Sequence, residues 1–209
     1  MRIPRSLSLA LVASALATFT PAQAQNTGFA ITSIDISLEA TPVYNLSIGP
    51  QRKATSQDWM MIETTFAYEP QERGVDPFLD ELTFNYYVLL GNKSREYPQG
   101  TLLAGSVTHV AVGPGKDLHS VAFVSPRTLT RYFLGKPPSS KQSATQAIGV
   151  TITRQGQVVA EDSIGLGKGK PQWWNQFQQT PGYVLNKNET PFAPLFWDYY
   201  EALQSTPGR

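Results

Sequence analysis

The feature that most constrains this chain is a series of short apolar and polar alternations between residues 28 and 166, interrupted by clusters of Gly, Pro, Asn and Asp. Alternation with a period of two places successive side chains on opposite faces of a β-strand, and the interruptions are typical of turns. In "FAITSIDISLEA", for example, Ile34, Ile36 and Leu38 share one face. The stretch "ELTFNYYVLL" is predicted to be a central strand because apolar side chains line one whole face.

The pattern predicts an all-β domain of about seven antiparallel strands arranged as two packed sheets, an immunoglobulin-like β-sandwich. The chain contains no cysteine. This excludes a disulfide framework, a thiolate metal site and a thiol nucleophile, and it means that the prediction concerns architecture and not the antibody-type Cys…Trp…Cys pattern.

Local signals add detail to the sandwich. Ser125 as N-cap, Pro126 at the first helical position and Gly135 as a stop predict one or two helical turns, followed by a loop, "KPPSSKQSAT". Within "GTLLAGSVTHVAV" the apolar residues change phase, which predicts a β-bulge near His109. The stretch "QAIGVTITRQGQVVAEDSIGL" is predicted to form a hairpin that turns at Gln155-Gly156.

The first residues are typical of a secretory signal peptide. Arg2 and Arg5 form a basic region, residues 7–19 an apolar one, and Ala22-Gln23-Ala24 a cleavage site between small residues. We therefore expect residues 1–24 to be removed, the mature chain to have no transmembrane segment, and the protein to lie in the periplasm, outside the cell or at the cell surface.

The charge balance argues against nucleic acid as a partner. Removing Arg2 and Arg5 with the predicted leader lowers the Lys and Arg count from 17 to 15, against 16 Asp and Glu, which leaves a net charge of −1. No stripe of Lys and Arg is available to neutralise phosphates.

The composition changes after residue 170. We divide the mature chain into a sandwich, residues 25–170, and an aromatic extension, residues 171–209, which holds three of the four tryptophans. In "TPFAPLFWDYYEALQ", Pro194 suits the first turn of a helix, and helical spacing then places one set of side chains on a broad apolar face. This set is Leu195, Phe196, Tyr199, Tyr200, Ala202 and Leu203.

A short helix with such a face must dock on something. Its own sandwich, a protein partner and a glycan remain alternatives at this point. The candidate interaction residues are Trp173, Trp174, Phe192, Phe196 and Trp197. The first strand, residues 28–40, could likewise pair within its own sheet or be donated to a neighbour.

Three phrases of the extension, "PQWW", "PGY" and "LNKNETPFAPLFWDYYE", resemble the C-terminal region of a family of secreted, pilus-like proteins of Verrucomicrobia that are encoded beside type IV pilus components. The resemblance implies an immunoglobulin-like fold related in shape to archaeal pilin domains, no established catalytic residues, and a role in or near a pilus assembly. Type IV pilins keep a long apolar N-terminal helix after their leader, whereas this chain continues after Ala24 with "QNTGFAITSIDIS". "Pilus-like" therefore refers here to shape or context.

No catalytic or metal-binding pattern emerges from the sequence. His109 and His119 are the two histidines, and they lack the carboxylate cluster of a zinc or copper site. No G-x-S-x-G motif occurs, and "GLGKGK" is followed by proline where a phosphate-binding loop needs Ser or Thr. One group of acidic loop residues could bind Ca²⁺ or serve a glycosidase, but such residues usually face water. These residues are Asp76, Asp80 and Glu81.

The sequence therefore predicts an exported, non-enzymatic structural or interaction protein of the cell envelope, associated with a pilus and without a cofactor. The alternative is a secreted carbohydrate-binding module that uses surface aromatic side chains.

Overall fold

The computed structural model describes residues 27–44, 57–71, 74, 76–166, 168–170 and 172–205. The predicted signal peptide and the predicted domain boundary at residue 171 lie outside these residues. Within them, no helix has both the length and the apolar character needed to cross a membrane.

The described residues form nine strands in two sheets. Seven strands are long: β1 (Phe29–Ala40), β2 (Asp58–Tyr68), β3 (Leu79–Leu90), β4 (Leu102–Val112), β5 (Gly115–Val124), β6 (Thr145–Arg154) and β7 (Gln157–Gly165). Two strands of three residues follow, β8 (Gln179–Pro181) and β9 (Val184–Asn186). The helices are α1 (Pro126–Tyr132) and α2 (Lys141–Ala144), with 3₁₀ turns at Trp173–Gln176 and Lys187–Glu189.

One sheet has four strands in the order β1-β2-β5-β9, and the other has five in the order β7-β6-β3-β4-β8. The inner faces of the two sheets pack against each other, as the rings of Phe66 and Phe84 show at 4.8 Å. The prediction of an all-β sandwich is confirmed. Strand β3 is central, as predicted, because it pairs with both β4 and β6.

The capping and turn signals correctly predicted two local structures. The Ser125 hydroxyl accepts a hydrogen bond from the Thr128 amide and so caps the start of α1. The helix ends before Gly135, whose φ is +84°. The hairpin of β6 and β7 turns at Gln155 and Gly156, both with positive φ, which suits the twist of a two-residue hairpin loop.

Two local predictions were wrong. The pairing of β3 with β4 continues in one register through Leu82 and His109, so no bulge lies there. His109 is itself buried, in phase with Val107, so the change of face comes later in the strand, at Ala111, whose φ is +53°. The apolar pattern placed the change too early because it does not recognise a buried histidine as a core residue. The segment predicted as a loop after α1 contains α2, which the Ser140 side chain caps.

Strand β1 stays within its own chain. It pairs antiparallel with β2 from Phe29 opposite Tyr68 to Ala40 opposite Asp58. The first strand is therefore an edge strand of its own sheet within this chain.

The C-terminal segment, which we define as residues 172–205, connects the two sheets. It first packs on the outer face of the five-stranded sheet, then pairs as β8 with β4 and as β9 with β5. It next covers the outer face of the four-stranded sheet. Near its end, the amide of Glu201 donates to the carbonyl of His119 in β5, and that of Gln204 donates to Thr108 in β4. The segment thus covers edges that would otherwise be open to other strands.

The predicted helix after Pro194 does not form. Residues 190–200 make successive turns, and Phe196 has a φ of +55°, which a right-handed helix does not allow. The apolar residues of this stretch instead contact several different parts of the sandwich, so their helical spacing has no structural meaning here.

Candidate interaction surface

The structure divides the five predicted interaction residues into two groups. Trp173, Trp174 and Phe192 are buried within the chain's own packing, so the prediction that they face a partner is wrong for these three. Phe196 and Trp197 are exposed, with 59% and 72% of their surface accessible.

Trp173 and Trp174 cover the outer face of the five-stranded sheet. The Trp174 indole lies parallel to the Tyr87 ring at 4.7 Å, and a Cβ at Gly149 would overlap it. Trp173 packs edge-on against Trp174 at 5.7 Å. Glycine at position 149 is therefore needed for the indole to reach the sheet.

Phe192 likewise covers the outer face of the four-stranded sheet. Its ring stacks on Phe123 of β5 at 4.8 Å and meets Trp59 of β2 edge-on at 6.0 Å. Burying such side chains contributes on the order of 1.5–3 kcal/mol each before entropy costs. Phe192 thus anchors the stretch that carries the exposed residues.

The exposed rings lie together. We define the aromatic patch as Phe196, Trp197 and Tyr199, the last with 47% of its surface accessible. Two of them contact the half-buried Tyr200, whose ring lies 6.3 Å from Phe196 and 5.0 Å from Tyr199. The third, Trp197, is linked to Tyr200 through Lys187, whose ammonium lies close to both rings.

A buried lysine supports Trp197. The Lys187 ammonium donates to the Ala193 carbonyl at 3.0 Å and lies 5.1 Å from the centre of the Trp197 ring and 6.0 Å from that of Tyr200. Burial lowers the pKa of Lys187. The cation–π contact holds the indole over the ammonium while the rest of the ring faces solvent.

Glu63 of β2 fixes the other side of the aromatic patch. Its two carboxylate oxygens accept hydrogen bonds from Tyr199 at 2.8 Å and from Tyr200 at 3.2 Å. His119 lies 3.1 Å from the same carboxylate through Nδ1, and its ring stacks on Tyr199 at 4.1 Å. The bond to Glu63 raises the pKa of Tyr199 to about 12, and burial followed by the Glu63 charge raises the pKa of Tyr200.

The cluster around Glu63 is not predictable from the sequence pattern. Its only local signal is a carboxylate that directly follows the apolar run 59–62 of β2. Its partners are distant in the sequence. His119, considered as a metal ligand, instead packs between Glu63 and the C-terminal segment. Nothing in the parts of the chain that the structure describes brings three or more His, Asp or Glu side chains close enough to hold a metal ion.

A second polar cluster lies inside the sandwich. The Tyr86 hydroxyl donates to Ser120 at 2.9 Å, and the Ser120 oxygen lies 2.8 Å from His109 Nε2. His109 Nδ1 is 3.1 Å from the Glu201 carbonyl, which assigns its proton to Nδ1. Burial lowers the pKa of His109 to about 4 and raises that of Tyr86 to about 12. The cluster ties the C-terminal segment to both sheets.

The acidic loop residues considered for Ca²⁺ do not act together. Asp76 accepts a hydrogen bond from the amide of Phe78 at 3.0 Å, a local turn of the kind that Asp forms with its own backbone. Asp80 and Glu81 are exposed at the start of β3.

A protein-family model matches residues 20–206. The chain belongs to that family. The match includes the entire sandwich, well beyond the C-terminal phrases that carried the resemblance.

One solved structure to which this chain is similar is that of a protein from Akkermansia muciniphila, a verrucomicrobial bacterium. Its crystal structure is similar to this chain with a TM-score of 0.68 and 23% sequence identity, over 85% of this chain and 93% of that chain. This likeness shows a shared fold. No protein of curated function matches the chain.

Proposed function

We propose that this protein is an exported, non-enzymatic structural protein of the cell envelope, and that it holds another protein in a pilus-associated assembly. Three features support the proposal. These are the predicted signal peptide, the membership in a family with a verrucomicrobial relative, and the resemblance of the C-terminal phrases to pilus-like proteins.

The observation that carries the proposal is that the aromatic patch is exposed while the stretch that bears it is held by hydrogen bonds to Glu63. Exposed rings that lie together are typical of interaction surfaces, and Trp and Tyr are enriched among the residues that dominate binding energy. Hydrogen bonds from Tyr199 and Tyr200 to Glu63 hold the backbone of this stretch in place. A partner therefore binds a preformed surface and loses little conformational entropy in doing so.

The buried polar cluster supports a non-enzymatic role. Ser120 and His109 lie at the distance of a nucleophile and its base, but both side chains are buried in the core. Their hydrogen bonds are used to join β4, β5 and the C-terminal segment.

Co-purification from cell envelopes tests the proposal. After chemical cross-linking, the native protein is expected to recover a pilus or secretion component. The double variant Phe196→Ala/Trp197→Ala is expected to lose that component. Phe78→Ala removes another exposed ring outside the aromatic patch and serves as the matched control, with recovery unchanged. Equal recovery by all three proteins would contradict the proposal.

The exposed indole of Trp197 favours one second candidate, a carbohydrate-binding module in which the aromatic patch stacks on sugar rings. Titration with a glycan panel, followed by tryptophan fluorescence, separates the two. A saturable shift that disappears in Trp197→Ala supports sugar binding, whereas a flat response supports the protein-contact function.

A further inference from the structure

Two exposed surfaces of this chain differ in the sign of most of the charges around them. From residue 118 to residue 160 the chain contains no Asp or Glu, while it has five Lys and Arg. Several of these cluster at the end of the sandwich where α1 follows β5. We define the basic end as the exposed residues Arg127, Arg131, Leu134 and Lys136.

An apolar side chain lies within the basic end. Leu134 is exposed, and apart from its two chain neighbours no residue comes within 4 Å of the Cβ position of the adjacent Gly135. The neighbouring loop, which joins this end through the contact of Tyr97 with Tyr132 at 5.9 Å, adds Lys93 and Arg95 against Glu96. The basic end therefore has an apolar point surrounded mainly by positive charge.

The aromatic patch has the opposite character. Asp198 is exposed between Trp197 and Tyr199, and the exposed Asp117 lies 3.5 Å from His119, on which Tyr199 stacks. From residue 187 to residue 205 the single cation is Lys187, and it is buried. The apolar rings are thus bordered by the carboxylates of Asp117 and Asp198, and the exposed Lys116 next to Asp117 is paired with Glu69 at 3.8 Å.

We propose that the aromatic patch of one copy binds the basic end of a second copy, so that copies of this protein join head to tail. The inference rests on the proposed function of the aromatic patch as a protein-contact surface. Leu134 would meet the exposed rings, and Arg127 and Lys136 would face Asp117 and Asp198. Complementary charges of this kind favour the correct partner and orientation.

The proposed contact is heterologous, since the aromatic patch and the basic end of one copy are bound by two different neighbouring copies. The aromatic patch lies on the outer face of the four-stranded sheet, whereas the basic end follows the last residue of β5. A heterologous contact leaves one free surface of each kind after every addition, so it produces a ring or a filament and not a closed pair. Its small size predicts weak binding that depends on salt.

Sedimentation velocity of the purified mature protein over a concentration series tests this inference. At low salt the mass is expected to rise with concentration past that of a dimer, and at about 0.5 M salt it is expected to return toward the monomer because screening shortens to a few ångströms. The variants Phe196→Ala/Trp197→Ala and Arg127→Glu/Lys136→Glu are each expected to remain monomeric at low salt. Circular dichroism and the Tm establish that both variants are folded.

Mixing the two variants gives the decisive result. One retains an intact basic end and the other an intact aromatic patch, so the mixture is expected to form a dimer that grows no further. A native protein that stays monomeric at every concentration overturns the inference, as does assembly that persists in Arg127→Glu/Lys136→Glu. Neither result affects the recovery of an envelope partner, which is measured separately and decides the proposed function.

Discussion

The hydroxyl of Tyr199 donates a 2.8 Å hydrogen bond to Glu63, and this bond fastens the C-terminal segment to the outer face of β2. Tyr200 donates to the same carboxylate from the next position, at 3.2 Å. The exposed rings beside them are therefore presented by a stretch that has no helix or strand of its own but is fixed by side-chain contacts.

Removing the Glu63 carboxylate is expected to loosen this stretch. Glu63→Ala leaves two tyrosine hydroxyls without their acceptor and should lower the free energy of unfolding by about 1–3 kcal/mol. Glu63→Gln keeps one acceptor oxygen and should have a smaller effect. Urea unfolding measures the loss, and hydrogen exchange at the amides of residues 199–204 shows where it occurs.

Glu69→Gln is the matched control for Glu63. Glu69 lies in the same sheet region, but its contact with Lys116 at 3.8 Å is exposed. Exposed pairs contribute little, so the change should be below about 0.5 kcal/mol. Equal losses for Glu63→Gln and Glu69→Gln would show that the Glu63 cluster does not hold the C-terminal segment.

Gly149→Ala tests the packing on the opposite sheet. A Cβ at position 149 overlaps the Trp174 indole, which must then move away from Tyr87. Overpacking of this kind is expected to lower stability by about 1–3 kcal/mol. Thermal unfolding measures the change.

A double-mutant cycle identifies the cause. In the background of Trp174→Ala the space beside position 149 is empty, so Gly149→Ala should there be neutral or slightly stabilising. If Gly149→Ala costs the same in both backgrounds, the overlap with Trp174 is not the reason that glycine occupies this position.

Stability should depend on pH through His109. Burial lowers its folded-state pKa from the ordinary 6.5 to about 4, so between these values the unfolded chain binds a proton that the folded chain does not. The free energy of unfolding is therefore expected to fall as the pH drops from 6.5 to 4, by about 3 kcal/mol in total, and this contribution stays constant below pH 4.

The variant His109→Gln separates the contribution of His109 to the pH dependence of stability from the contribution of the carboxylates. The variant should be less stable at pH 7, because it disturbs the contacts with Ser120 and Glu201, but its stability should fall less between pH 6.5 and 4. Parallel curves for the two proteins would contradict the assignment of His109 as a buried, neutral group.

The strands could be predicted from the sequence because alternation is a local property. Strand β1 was predicted to within one residue of its observed bounds, and Ser125 and the Gln155-Gly156 turn identified their structures through backbone chemistry. The bulge prediction failed at His109 because a buried polar residue is indistinguishable from an exposed one in a hydrophobic pattern.

The C-terminal segment could not be predicted in the same way. Its apolar spacing fits a helix, but the positive φ of Phe196 and the contacts with Glu63 depend on residues far away in the sequence. For the same reason, the sequence could not distinguish the buried candidate interaction residues from the exposed ones. The residues next to Trp174 in the sequence do not indicate that its indole packs on Gly149 and Tyr87. Nor do the residues next to Trp197 indicate that its indole stays exposed.

Photo-cross-linking at position 197 tests the central claim most directly. A benzoylphenylalanine replaces Trp197, and the same probe replaces the exposed Phe78 as a control. After irradiation of intact cells, the probe at position 197 is predicted to form a discrete covalent adduct with an envelope protein, and the probe at position 78 is predicted to form none. If position 197 gives no adduct while the protein is folded and exported, the aromatic patch is not a protein-contact surface.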